Sequence, residues 1–179
     1  MELTEKKLSS EEIFDGVAIH LYRDEILLPN GKKGVREVIR HPGAVCVLPI
    51  KEDGNVIFVN QFRYAFNKVT LEAPAGKLDE GEEPLEAAKR ELREETGAVA
   101  KKYTHLGELV PSPALISERI QMYLAEDITF TERELDDDEF LDVERVPLKK
   151  LYEMVMSGEI ADAKTQIAVL KVWQMRNFT

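Results

Sequence analysis

The sequence predicts an α/β (α+β) domain, with helices packed on largely antiparallel or mixed sheets. Three observations carry that expectation. The first half of the chain runs at strand period, one amphipathic segment near residue 90 has helix punctuation at both ends, and two further helical patterns close the chain. With 179 residues, 44% of them hydrophobic and 32% charged, the chain is long enough to bury a core of its own.

The elements follow in order. The first fifteen residues mix both charge signs and lack the apolar stretch of a signal peptide. Residues 17–28 (VAIHLYRDEILL) alternate apolar and polar, and Pro29-Asn30-Gly31 signals a turn ahead of VREVIR. The continuous apolar run AVCVLPI comes next. Glu52-Asp53-Gly54-Asn55 then reads as a hairpin turn that returns the chain as VIFVNQF (56–62). A short strand at 69–73 leads into Pro74-Ala75-Gly76. A helix is expected over about 84–96, with Pro84 in its first turn and Gly97 just past its end. Strand-like stretches resume near 103–110, 119–125 and 140–146. Helices are expected over 148–156 and 163–176, the second with Asp162 as N-cap. No repeat, low-complexity tract or linker interrupts the pattern.

Composition narrows the function. No apolar run approaches the roughly 20 residues of a membrane span, and a net charge of −10 argues against a nucleic-acid surface. The single cysteine, Cys46, lies in an apolar run, cannot form an internal disulfide and reads as a buried inert thiol. These features favour the cytoplasm. A small phosphorylated ligand would still be compatible with so acidic a chain, if held by a local cation patch or by metal ions on carboxylates.

The segment 82–95 breaks the usual rules of helix design. Glu82, Glu83, Glu86, Glu91, Glu94 and Glu95 face only Lys89, Arg90 and Arg93. Like charges at i,i+4, such as Glu91 and Glu95, cost a few tenths of a kcal/mol. Anions in the last turn oppose the helix dipole, at about 0.3–1 kcal/mol each. Violations of this kind concentrate at functional sites. At about 100° per residue, with Glu91 at 0°, Glu95 falls near +40° and Glu94 near −60°. Leu85, Ala88 and Leu92 would then form the buried stripe, with Glu91 and Glu95 flanking its edge. An Arg90–Glu94 ion pair accounts for the remaining carboxylate. From periodicity alone, a solvated acidic face stays open as the alternative.

The full string GKLDEGEEPLEAAKRELREETGA, Gly76 to Ala98, resembles the Nudix box, G-x5-E-x7-R-E-U-x-E-E-x-G-U, where U is apolar. Gly76, Glu82, Arg90, Glu91, Leu92, Glu94, Glu95 and Gly97 match at every spacing, and Ala98 is the one smaller residue. The resemblance implies the Nudix fold, with mixed sheets sandwiched between helices and an N-terminal antiparallel strand region. It also implies a hydrolase that uses Mg²⁺, with Mn²⁺ as a possible substitute, to cut a diphosphate bridge. Glu91 and Glu95 would be the principal metal ligands, with the Ala75 carbonyl as a third oxygen and Glu94 as a further candidate. Glu82 reads as a structural member of the box.

Beyond the box, VNQFRYAF, LEAPAGK, PSPALISERI, DDDEFLDVERV and SGEIADAKTQIAVLKVWQ resemble the ADP-ribose pyrophosphatase group of that family, with Ala114 where glycine is common. This likeness implies that Arg63 contacts substrate phosphates, that Arg36 and Glu37 line the nucleotide site, and that Pro113 belongs to a substrate loop. His41 and Arg40 stand beside them. Glu139 would be the water-activating base or part of the metal shell. The expected substrate is a small nucleoside diphosphate, ADP-ribose first. A GDP-mannose or other nucleotide-sugar pyrophosphatase is the alternative, and a non-catalytic ADP-ribose sensor is disfavoured by the intact acidic residues. The group's organisation implies an N-terminal β region, 1–40, that serves dimerisation and part of the substrate site, ahead of a hydrolase domain at 41–179. A homodimer is expected.

Overall fold

The computed structural model describes residues 2–135 and 140–178. The chain forms two units: Met1–Gly43 with Val110–Arg119, and Ala44–Leu109 with Ile120–Thr179.

The first unit is a three-stranded antiparallel sheet of β1 (Lys6–Asp15), β2 (His20–Leu27) and β3 (Lys33–Arg40), in that spatial order. The turn Asn30-Gly31 closes β2 onto β3 as its residue types predict, with Gly31 at φ 79°. β1 falls inside the β region expected over 1–40, but its charged residues hide the period that would delimit a strand there. Its register with β2 also slips between Lys7 and Ser9 and between Glu12 and Phe14, leaving Leu8 and Ile13 as bulge residues. All ten of its residues are exposed. The predicted strand over 17–28 starts at His20, and Val17 lies wholly in solvent ahead of it. The segment 110–119 docks on the end of β3: the Ile39 N–H donates to Leu115 O (2.8 Å), and the Ser117 N–H to Ile39 O (2.9 Å).

The second unit has the predicted sandwich of mixed sheets and helices. One sheet runs β7 (Ala75–Lys77), β4 (Ala44–Pro49), β9 (Ile120–Phe130), β8 (Ala98–Leu109), with β4 and β9 parallel. The other runs β10 (Leu141–Pro147), β5 (Asn55–Arg63), β6 (Lys68–Glu72). Helix α1 is Pro84–Thr96, α2 is Leu148–Ser157 and α3 is Ala163–Asn177. Strand β4 is buried throughout, and its period of two divides the core. Val45 and Val47 pack with Ala87, Ala88 and Leu92 of α1. Cys46 and Leu48 pack on the other side with Ala168, Val169 and Val172 of α3. Tyr152 of α2 stacks on Trp173 of α3, their ring centroids 4.6 Å apart. Burial pushes the Cys46 thiol up to about 12, so it is inert at neutral pH. No helix among the described residues is long and apolar enough to cross a membrane.

Two expectations for α1 change. Leu85 is 36% exposed, and Ala87 takes its place in the core. The buried arc therefore runs from Ala87 through Glu91, Glu95, Ala88 and Leu92 to Thr96. Glu91 and Glu95 sit in its middle rather than on its flank, because a third surface, the backbone of β7, covers that side. The cap at Gly97 holds as predicted: its φ is 69°, and its N–H closes on Arg93 O at 2.7 Å. A Cβ there would also meet the Thr131 backbone oxygen at 2.6 Å. Gly97→Ala should lower stability by about 1–3 kcal/mol, the usual cost of a side chain forced into the left-handed region. A urea titration checks this, and an unchanged midpoint would contradict it.

Candidate active site

The site is organised by six consecutive residues, Glu72 to Lys77, each of which holds a different part of the second unit. The Glu72 carboxylate receives Arg63 of β5, Thr70 of β6 and Lys164 of α3. The Ala73 N–H donates to Thr165 Oγ1 (2.9 Å), and Pro74 O accepts from the Val47 N–H (2.9 Å). The Ala75 N–H donates to Glu95 Oε2 (3.2 Å), and Lys77 O accepts from Arg90 Nη2 (3.1 Å). Gly76 has no side chain because Glu91 occupies that space: a Cβ would stand 2.0 Å from Glu91 Oε1 and 2.3 Å from Oε2.

Two carboxylates are thereby brought side by side, one helical turn apart, against a strand backbone. Glu91 is 8% exposed and Glu95 3%. Burying two like charges at this spacing is costly without a cation to offset them. Arg90 supplies part of that charge. Its Nε and Nη2 fork Glu82 (both 2.9 Å), and Nη1 donates to Glu91 Oε1 (2.8 Å) and Glu94 Oε2 (3.0 Å). With the Lys77 carbonyl, all five guanidinium donors are used. The hydrogen bonds to Glu82 raise the Arg90 pKa above its ordinary value, and they lower that of Glu82. The sequence pointed to an Arg90–Glu94 pair; that pair forms, but the bidentate partner is Glu82. Glu82 also accepts from the Asp79 N–H (3.0 Å), tying the loop before α1 to the helix.

These donors fit a hard divalent cation. Among the described residues no group of three His, Cys, Asp or Glu side chains is placed to hold a metal. Mg²⁺ needs less, since it keeps waters and substrate phosphates in its shell. Two buried carboxylates beside the backbone of Ala75 meet that requirement, with Glu94 turned toward Arg90.

Arg63 is placed in the same unit. Its Nε and Nη2 grip Glu72 at 2.7 and 2.6 Å, and its side chain remains 40% exposed. Burial would raise the Glu72 pKa, but Arg63 and then Lys164 and Thr70 more than offset it and hold the carboxyl at about 2. Sequence reasoning passed over Glu72 and Lys164. A signal for Lys164 existed: a lysine in the first turn of a helix opposes the dipole.

Arg36, Glu37 and Pro113 lie in the first unit, all exposed. Arg36 pairs with Glu5, and Glu37 accepts from Arg23 at 3.3 Å. Exposed pairs of this kind are worth about 0–1 kcal/mol, so a ligand can displace them. His41 lies near Glu118, with 3.7 Å between Nε2 and Oε1. Glu139 lies outside the described residues.

Comparison with known proteins follows these features. The NUDIX domain model matches residues 40–167, and the model of a nucleoside diphosphate sugar hydrolase N-terminal domain matches residues 5–39. The ADP-ribose pyrophosphatase of Bacillus subtilis (strain 168) is 46% identical over 169 residues, 93% of this chain and 91% of that one. The methanol dehydrogenase activator of Bacillus methanolicus is 39% identical over 167 residues, 92% of this chain and 90% of that one. A crystal structure of an ADP compounds hydrolase superposes with a TM-score of 0.87 at 26% identity, covering 99% of this chain and 98% of that one.

Two outcomes follow. Gly76→Ala should leave the fold intact, since the clashing atoms are the movable end of Glu91, yet displace that carboxylate and abolish most hydrolase turnover. Full activity in a folded Gly76→Ala variant would contradict the packing described. Glu72, ordinarily near 4.5 and held at about 2 here, stabilises the fold above pH 4.5, and that stability is lost as pH falls toward 2. Glu72→Gln should therefore destabilise at pH 7 and differ less from wild type at pH 3. Urea midpoints at the two pH values decide it.

Proposed function

The chain belongs to the Nudix hydrolase family, and on that premise we propose that it cleaves the diphosphate bridge of ADP-ribose to give AMP and ribose 5-phosphate. The observation that carries this substrate is the near-full-length likeness to an ADP-ribose pyrophosphatase, on a chain that carries Glu82, Glu91, Glu94 and Glu95 at the box spacings. Mg²⁺ is the proposed cofactor, with Mn²⁺ able to replace it. Glu91, Glu95 and the Ala75 carbonyl would hold it, and when bound it would neutralise diphosphate oxygens and acidify a water.

The chain's own residues divide the remaining work. Arg90 keeps Glu91 and Glu94 oriented, and Gly76 lets the Glu91 carboxylate lie against the strand. Arg63 meets the substrate phosphates, Arg36 and Glu37 meet the nucleotide, and Pro113 shapes a substrate loop. Glu139 takes the proton of the attacking water. A second copy completes the site, and the exposed Leu8, Ile13, Phe14 and Val35 of the N-terminal region are apolar surface that such a copy would cover.

Glu91→Gln and Glu95→Gln should each lower kcat by several orders of magnitude with the fold retained. A kinetic screen of ADP-ribose, GDP-mannose and nucleoside triphosphates should favour ADP-ribose; a much higher kcat/KM for either of the others would overturn the substrate. Light scattering at micromolar concentration should report a dimer, and deletion of residues 1–38 should lose both assembly and substrate affinity. A monomer with normal affinity would refute the shared site.

A further inference from the structure

The region around β6 carries a second charge cluster, separate from the carboxylates of α1. Strands β5 and β6 pair Arg63 with Lys68, Gln61 with Thr70 and Val59 with Glu72, so Arg63, Thr70 and Glu72 share one face of the hairpin. Glu72 is only 4% exposed and Lys164 12%. Four hydrogen bonds converge on the Glu72 carboxylate: two from Arg63, one from Thr70 and one from Lys164.

Lys164 stands where two effects disfavour it. It occupies the first turn of α3, where the helix dipole repels a cation, and it is nearly buried. Burial would lower its pKa, but Asp162 and Glu72 more than compensate and keep it charged. Asp162 lies 3.1 Å from its Nζ and also caps the helix through the Thr165 N–H (2.9 Å). A local arrangement this costly, with every member satisfied, serves to fix something.

What it fixes is the guanidinium of Arg63. Glu72 occupies one edge of that plane, Nε and Nη2, in the side-on fork that sets both direction and tilt. The other edge, Nη1, has no hydrogen bond among the described residues, and the side chain is 40% exposed. The Glu72 hydrogen bonds raise the Arg63 pKa above its ordinary value, with smaller contributions from the charges of Asp162 and Glu95.

We propose that Glu72 is a positioning residue that locks Arg63 with its Nη1 edge free for a substrate phosphate, and that Lys164 is the second cation holding Glu72 in that pose. The proposal rests on the reading of Arg63 as a phosphate contact. Glu72 touches no substrate in it, and its whole effect on affinity passes through Arg63.

A double-mutant cycle tests this on the full-length chain, with ADP-ribose and Mg²⁺. Arg63→Ala and Glu72→Gln should each raise KM about tenfold with kcat within about twofold, and the double variant should raise KM no further than Arg63→Ala alone. Lys164→Met leaves Glu72 two of its three partners, so it should raise KM less, and again not in the Arg63→Ala background. This variant also serves if Glu72→Gln fails to fold, which thermal melts would reveal. Effects of Glu72 and Arg63 that multiply would overturn the proposal. So would a Glu72→Gln variant that melts earlier but keeps the wild-type KM. If the wild-type chain prefers another nucleoside diphosphate, the substrate reading alone falls, and the cycle decides the positioning role on that substrate.

Discussion

The constraint on which the rest depends is the close approach between the carboxylate of Glu91 and the backbone at Gly76. A helix of 13 residues with acids in its buried arc can pack on a sheet only if something accepts those acids. Here the strand does so, by offering the N–H of Ala75 to Glu95 and an empty side-chain position to Glu91. Because β7 is fixed to β4 by three residue pairs, the carboxylates inherit the rigidity of the central sheet. Sites built on such elements hold their geometry better than sites on loops.

Electrostatics explains why an acidic chain can handle an anion. The molecule carries a net charge of −10, so its general field repels a diphosphate. Attraction has to be local. Under the proposed function two devices would provide it, one by holding a divalent cation on buried carboxylates and the other by presenting an oriented guanidinium. Both use an arginine–glutamate fork, Arg90 on Glu82 and Arg63 on Glu72, and a planar fork fixes orientation in a way a lysine cannot. The two forks differ in purpose. Arg90 spends all its donors inside the protein, whereas Arg63 keeps one edge open among the described residues.

Much of this was legible in the sequence, and the failures have physical causes. Pro84 and Gly97 gave the ends of α1, Asp162 gave the cap of α3, and the apolar run at residues 44–50 gave the central strand, because each signal is local. The spacing of Glu91 and Glu95 singled out these two acids as a pair, but helical angles put them at the edge of the buried stripe. They lie at its centre, since periodicity cannot anticipate a glycine backbone packed on the same face. The bounds of β1, inside the expected N-terminal β region, were not legible because its residues are all exposed and its bulges break the alternation. Glu72 and Lys164 were missed for a different reason: residues 92 apart in sequence meet only in the fold.

The central claim is that Glu91, Glu95 and the Ala75 backbone form one cation-binding surface. A crystal of the protein grown with Mn²⁺ and measured at the manganese absorption edge tests it most directly. The account predicts an anomalous peak within coordination distance of both carboxylates and the Ala75 carbonyl oxygen, with Arg90 still forked on Glu82. A peak bound elsewhere, or a second unit whose Glu91 and Glu95 bind no manganese at millimolar concentration, would contradict it.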